Sequence, residues 1–212
     1  MKEFDPNYVD SSLNTRQPEP PKEEISSVSF SKRAASETWE LAKIVIGSLL
    51  IVLPIRLFIA QPFIVRGASM EPNFHEGQYL IIDEASYYLR EPQRGEVVVF
   101  RYPQDTSQFF IKRVIGLPGE EVEIAGGKVK IINDEHPVGF VLEEKYLPKN
   151  IATTPDQQVF LGTEEYFVMG DNRVFSSDSR RWGTLEEKYL IGRALVRLWP
   201  LADIGVVKKP NL

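Results

Sequence analysis

The sequence predicts a mainly β fold, an antiparallel sandwich or barrel, preceded by a single apolar helix. Three observations carry that expectation. Short β-branched and aromatic runs recur between Tyr79 and Trp199, glycine-bearing turns separate them, and no long segment among them repeats its apolar residues every 3.6 positions. Frequent short strands with turn signals between them are the mark of antiparallel sheets.

In chain order, residues 1–36 are rich in Pro, Ser, Glu, Asn and Lys, centred on Pro18-Glu19-Pro20-Pro21-Lys22-Glu23-Glu24. That composition buries too little apolar surface to fold alone, which predicts a flexible polar tail. Residues 37–60 change character. Ile44 to Ile55 is uncharged, Lys43 and Arg56 bracket it, and Leu57-Phe58-Ile59-Ala60 extends it. At about 1.5 Å per residue, Leu41 to Ala60 reaches roughly 30 Å, the thickness of a hydrocarbon core. The segment is expected to be a transmembrane anchor, although its uncharged run alone is short enough for a buried core helix or a signal-peptide h-region; a cleaved signal peptide fits poorly behind so long a polar stretch. Lipid-embedded helices tolerate a kink such as Pro54 would make. Lys32, Arg33 and Lys43 flank the N-terminal side, which predicts that end in the cytoplasm and the remaining chain across the membrane.

Beyond Gln61-Pro62 the strand pattern takes over, so 61–212 is expected to form the folded domain. Tyr79-Leu80-Ile81-Ile82, Glu96-Val97-Val98-Val99-Phe100, Phe109 to Ile115 and Glu121-Val122-Glu123-Ile124 read as strands. Lys128 to Ile132, Glu165 to Met169 and Ala194 to Trp199 continue the series, with turns at Arg94-Gly95, Pro118-Gly119 and Gly126-Gly127. Residues 133–160, with scattered Pro, Asn and Thr, read as an irregular excursion from the sheet.

Composition narrows the function. The 212 residues allow one ordinary domain plus accessory segments, and a hydrophobic content of 42% excludes a wholly disordered chain. The net charge of −5, with no dominant basic block, argues against a nucleic-acid partner. With no cysteine there is no cysteine nucleophile, thiolate metal site or disulfide. The two histidines, His75 and His136, do not form an H-E-x-x-H pattern, so no metal and no zinc hydrolase is expected.

Two stretches carry the chemistry. In Gly67-Ala68-Ser69-Met70-Glu71-Pro72 a serine sits between small residues, and Gly67 can adopt angles closed to other residues. Met70 and Phe74 offer apolar surface beside it; a capping or loop serine is the competing reading. In Phe109-Phe110-Ile111-Lys112-Arg113-Val114, strand alternation puts Lys112 on the face of Phe110 and Val114, away from Arg113. An exposed edge lysine is the bland alternative. If buried, its charged form is disfavoured; a fall of about three units, roughly 4 kcal/mol, leaves a substantial neutral fraction near pH 7. A neutral amine can take the proton of Ser69 and later give it to a leaving amine. A third stretch, Gly170 to Gly183, is dense in Asp, Asn, Ser and Arg. There Asp178 and Arg180 could form a bidentate pair, and Ser176 could orient the lysine amine. His75 stands close to Ser69 in sequence, but that nearness alone does not build a Ser-His-Asp triad.

Together these stretches resemble the type I signal peptidases. The resemblance runs from Gln61-Pro62-Phe63 to about Trp199, plus the preceding anchor. It rests on the serine box Ser69-Met70-Glu71-Pro72, the strand Arg94 to Phe100, the lysine box Lys112 to Glu120 and the loop Gly170-Asp171-Asn172-Arg173, Ser176, Asp178-Ser179-Arg180 and Trp182-Gly183. It implies a two-lobed antiparallel β catalytic domain against the outer face of a cell or thylakoid-type membrane, behind one transmembrane helix. It implies Ser69 as nucleophile, Lys112 as general base, Ser176 as the hydroxyl that positions the lysine, and Asp178 with Arg180 as support. The implied substrate is the signal peptide of an exported preprotein, cut after an Ala-X-Ala-like pattern, with no cofactor. Val65, Met70, Phe74, Phe110 and Ile111 match positions lining the small-residue pocket. Gly67 stands where some members carry a serine whose hydroxyl joins the oxyanion hole, so backbone N–H groups must supply that stabilisation. Asn73 replaces a common threonine and Glu120 a common aspartate.

Two other readings compete. A self-cleaving repressor with a Ser-Lys dyad needs an N-terminal DNA-binding helix-turn-helix, which residues 1–60 do not offer. A catalytically inactive, membrane-anchored peptidase-fold binding protein should lack the serine or the lysine, and both are present.

Overall fold

The computed structural model describes residues 27–54, 60–149, 151–210 and 212. Helix α1 spans Ser27–Pro54. It starts inside the segment expected to be polar tail, where Lys32-Arg33-Ala34-Ala35 and Glu37 are good helix formers by propensity. The rest of that tail, residues 1–26, lies outside the described residues. Within α1, Trp39, Leu41, Ile44, Val45, Ile46, Leu49, Leu50, Ile51, Val52 and Leu53 are all exposed, so its apolar residues do not form a single stripe. No helix among the described residues is long and apolar enough to cross a membrane. The expected span continues through residues 55–59, which lie outside them.

The remaining chain folds into two sheets in which every pairing is antiparallel. The larger is ordered β1 (Ala60–Ile64), β2 (Tyr79–Asp83), β11 (Leu190–Trp199), β3 (Val97–Tyr102), β4 (Asp105–Gly116), β9 (Glu165–Met169) and β10 (Leu185–Glu186), with β12 (Gly205–Val206) on β11. The smaller is ordered β7 (Phe140–Val141), β6 (Lys128–Ile132), β5 (Glu121–Ala125) and β8 (Gln157–Phe160). The smaller sheet is inserted between β4 and β9, which are neighbours in the larger one. The mainly antiparallel β expectation holds. The supposed excursion 133–160 instead supplies β7 and β8, whose pairing with β6 and β5 overrides a weak local strand pattern in Gln157-Gln158-Val159-Phe160.

Strand alternation explains where the cores lie. Val97 and Val99 face one apolar cluster with Val65, Met70, Phe74, Leu80 and Ile82; Val98 and Phe100 face another with Val114, Tyr166 and Val168. β3 is therefore covered on both faces, which is why Val97-Val98-Val99-Phe100 is uninterrupted apolar sequence. A third cluster joins Ile115, Phe167 and Met169 of the larger sheet to Val122, Ile124, Val129 and Ile131 of the smaller. Glu120 fixes the turn between the two: Arg94 donates to both its oxygens, at 2.6 and 2.7 Å, and the Leu117 N–H donates at 2.8 Å.

Candidate active site

Ser69 lies in the loop joining β1 to β2. Hydrogen bonds Val65 N–H to Gln78 O and Gly77 N–H to Val65 O close the base of that loop. The Phe74 N–H donates to Met70 O at 2.9 Å, and both side chains are buried in the core. Met70 and Phe74 thus anchor the serine loop from below. They are not among the residues lining the cleft, contrary to the pocket expectation, because the turn directs them into the core beneath β2. Gly67, at φ +76°, sets the backbone reversal that brings Ser69 out of the loop.

β4 delivers Lys112. Arg113 pairs with Met169 at the end of the β4–β9 ladder, so at Lys112 the neighbouring strand has already given way to the loop starting at Gly170. Lys112 Nζ lies 2.8 Å from Ser69 Oγ and 2.8 Å from the Ile111 carbonyl, and 5.3 Å from the centre of the Phe110 ring. Lys112 is 4% exposed. Burial pulls its pKa from 10.5 to about 8, against the attraction of the Asp178 and Asp171 carboxylates. Arg113 does point to the opposite face, yet it too is buried, because Asp171 clasps it: Nε donates to Oδ1 at 2.8 Å and the guanidinium to Oδ2 at 2.6 Å.

The loop after β9 holds the serine segment in place. The Asn172 N–H donates to Ser69 O at 3.0 Å, and its side-chain amide donates to Ala68 O at 3.1 Å. Gly170 is needed here for close approach: a Cβ would meet Ser176 Oγ at 2.2 Å and Ser69 O at 2.4 Å. The expected Asp178–Arg180 pair forms, with contacts of 2.8 and 2.7 Å, and Asp178 also accepts the Gly170 N–H at 3.0 Å. Burial alone would raise the Asp178 carboxyl; Arg180, the Gly170 N–H and the adjacent Ser176 hydroxyl overcome it and hold the carboxyl below its usual range. Ser176 is buried against Gly170, near enough to Asp178 to favour its charge, but its hydroxyl makes no hydrogen bond of good geometry. The Lys112 amine bonds to Ser69 and Ile111 rather than to Ser176.

A cleft of about 780 Å³ opens beside the pair. Val65, Phe110 and Ile111 are among the residues lining it, together with Ser69 and Lys112. Phe63, Arg66, Gln108 and Ser177 also line it. Sequence reasoning missed these four; for Phe63 the β1 run carried a usable signal, for Ser177 only its place beside Ser176. Reasoning also missed Glu144, Tyr146 and Thr153. These hydrogen-bond the buried Arg173 guanidinium and so tie the 133–160 segment to the site loop. His75 is exposed beside Glu71, and His136 packs edge-on against Phe140, so neither histidine approaches Ser69. Among the described residues no group of His, Asp or Glu is arranged to hold a metal ion.

Known proteins share this chain's sequence over most of its length. The profile of the family described as signal peptidase, peptidase S26, matches residues 38–199. The probable signal peptidase I-2 of Synechocystis sp. is 39% identical over 80% of this chain and 78% of its own length. Signal peptidase I of Leptolyngbya laminosa is 36% identical over 84% and 88%, and that of Bacillus amyloliquefaciens 32% identical over 84% and 93%. This chain belongs to the signal peptidase family, peptidase S26, and is a signal peptidase I hydrolase.

Proposed function

We propose that the protein removes signal peptides from exported preproteins at a membrane surface, cutting after small-X-small sites, with Ser69 as nucleophile and Lys112 as general base. The observation that carries this reading is the 2.8 Å contact between a buried amine, titrating at about 8, and a serine hydroxyl at the wall of an open cleft. In its neutral form Lys112 accepts the Ser69 proton as Oγ attacks the scissile carbonyl. The proton then passes to the departing amine, leaving an acyl-enzyme. A water molecule, deprotonated by the same amine, releases the signal peptide and restores Ser69. Backbone N–H groups, Ser69's own among them, are assigned to the oxyanion, since Gly67 brings no hydroxyl.

The substrate is assigned to the cleft between the end of β1 and the first half of β4, lying extended across Ser69. Val65, Phe110 and Ile111 leave room there for small side chains and exclude large ones. Ser176 is assigned a lesser role, through Asp178 and the packing of Gly170, with Asp178 and Arg180 fixing the loop. Membrane attachment is assigned to residues 37–60, N-terminus cytoplasmic and domain 61–212 on the extracytoplasmic side. The exposed apolar residues of α1 between Trp39 and Leu53 are a poor fit to water and a good one to lipid. The row Ile64, Tyr79 and Trp199, paired across three strands and exposed, offers a second lipid-facing surface. The inactive-scaffold reading is disfavoured, since the serine and lysine are both present and in contact. The test is a preprotein series read by product mass. Cleavage should occur after Ala-X-Ala, fall at least tenfold when either alanine becomes Leu, and disappear with Ser69→Ala. Equal cutting of the Leu series would overturn the pocket assignment.

A further inference from the structure

A second cavity, of about 420 Å³, is not used by this chemistry. Asn73, Phe74, Arg197, Asp203, Val206 and Lys208 are among the residues lining it. Arg197 is its unusual member. The guanidinium stacks over the Phe74 ring at 5.0 Å and donates to Asn73 O at 2.7 Å. Its Nε is buried with no hydrogen-bond partner, and among the described residues no carboxylate pairs with it. Arg197 as a whole is half-buried, and a cation even partly withdrawn from water is ordinarily paired. Every other arginine in the neighbourhood is: Arg113 with Asp171, and Arg173 with Glu144. Arg113 also lines the cavity but is neutralised by Asp171; Arg197 and Lys208 then leave two cations against the single lining carboxylate of Asp203, and so the cavity is short of negative charge.

Its surroundings say which anion. Arg197 pairs with Gly205 across β11 and β12, and the flanking Leu198, Trp199, Leu201, Ile204 and Val206 are all exposed. A cation-lined cavity beside an exposed apolar rim fits a ligand whose charged head and acyl tail are joined. We infer that this cavity binds the phosphodiester headgroup of an anionic lipid, with Arg197 and Lys208 on the phosphate oxygens and the acyl chains along the Leu201–Val206 rim. The inference rests on the membrane attachment proposed above. It also reaches the active site: Asn73, which accepts from Arg197, donates to Asp171 at 2.9 Å and to Tyr146 O at 3.0 Å, and belongs to the loop that carries Ser69.

The experiment reconstitutes the full chain in phosphatidylcholine vesicles with and without phosphatidylglycerol. A photoactivatable phosphatidylglycerol is cross-linked and the labelled peptide mapped, beside preprotein cleavage. The expected result is a cross-link within residues 197–208 that Arg197→Gln reduces at least fivefold and Arg197→Lys partly restores. Lys128→Gln, the same charge change on the smaller sheet, should leave it intact. Phosphatidylglycerol should raise the cleavage rate severalfold in the wild type and not in Arg197→Gln. Labelling unaffected by Arg197→Gln, or lost equally in Lys128→Gln, would overturn the site. Competition by inorganic phosphate in the millimolar range would reassign it to a free anion. Because cross-linking needs no turnover, absence of cleavage would count against the proposed function and leave the site to be judged by its label.

Discussion

Replacing Lys112 by methionine should stabilise the protein at neutral pH, and the effect should fall with rising pH in a calculable way. In an unfolded chain the lysine keeps its ordinary pKa of 10.5; in the fold burial lowers it to about 8. The folded state therefore disfavours the ammonium, and the cost is complete below pH 8, where both states would otherwise be charged. As pH rises from 8 to 10.5 the unfolded state still binds a proton that the folded state has lost, so stability climbs with pH. At about 1.36 kcal/mol per unit, the burden is about 3 kcal/mol at pH 7, about 2 at pH 9 and about 1 at pH 10. Methionine fills a similar volume and carries no such burden, while it gives up the contacts to Ser69 and the Ile111 carbonyl, a pH-independent loss of about 1 kcal/mol each. The informative quantity is thus the change in the difference. Urea unfolding of the detergent-solubilised full chain, followed by tryptophan fluorescence, should show the advantage of Lys112→Met shrinking by about 2 kcal/mol between pH 7 and pH 10. A difference constant across that range would refute the claim that the amine is held out of water in the fold.

Other outcomes follow from the same geometry. Cleavage rate should rise with pH on a limb near 8, because only about a tenth of the amine is neutral at pH 7; a limb near 10 would mean a solvated lysine. Asp178→Asn removes an attraction that raises the Lys112 pKa, so the limb should move to lower pH. It also strands Arg180, which should cost about 3–5 kcal/mol in unfolding experiments, and an unchanged limb would leave Asp178 purely structural. Gly170→Ala forces a Cβ onto Ser69 O and Ser176, whereas Gly67→Ala meets open space and suffers only its positive φ, about 1–2 kcal/mol. Gly170→Ala should therefore slow cleavage far more, and equal effects in a side-by-side assay would contradict the close-packing argument. Ser176→Ala should reduce cleavage less than loss of Ser69 or Lys112; wild-type rates would make Ser176 a packing residue alone.

Alternation and turn chemistry made the larger part of this fold legible. The central strands β2 to β6, β9 and the second half of β11 follow runs whose apolar residues are set by faces buried on one or both sides. β7, β8, β10 and β12 were not legible, since runs of only two to four residues show no alternation and become strands only when a neighbour supplies the ladder. The site was legible where the chemistry is local. Parity along β4 put Lys112 opposite Arg113, and two-residue spacing made Asp178 and Arg180 a pair. It was illegible where it depends on distant chain. Glu144 and Tyr146 reach Arg173 from a segment that reads as irregular, and Met70 and Phe74 face the core because of a turn between Met70 and Phe74 that the sequence does not announce. The departure at Asn73 proves structural: an amide can donate to both Asp171 and Tyr146 O, which one threonine hydroxyl cannot.

The central claim is that a lysine amine, rather than a histidine, drives Ser69. Its most direct test is cleavage of a preprotein bearing an Ala-X-Ala site by the full chain in lipid and detergent, wild type beside Lys112→Ala, at neutral and mildly alkaline pH. Cleavage by the wild type and none by the folded variant is the predicted result. A folded Lys112→Ala protein that still cuts at the wild-type rate would contradict it.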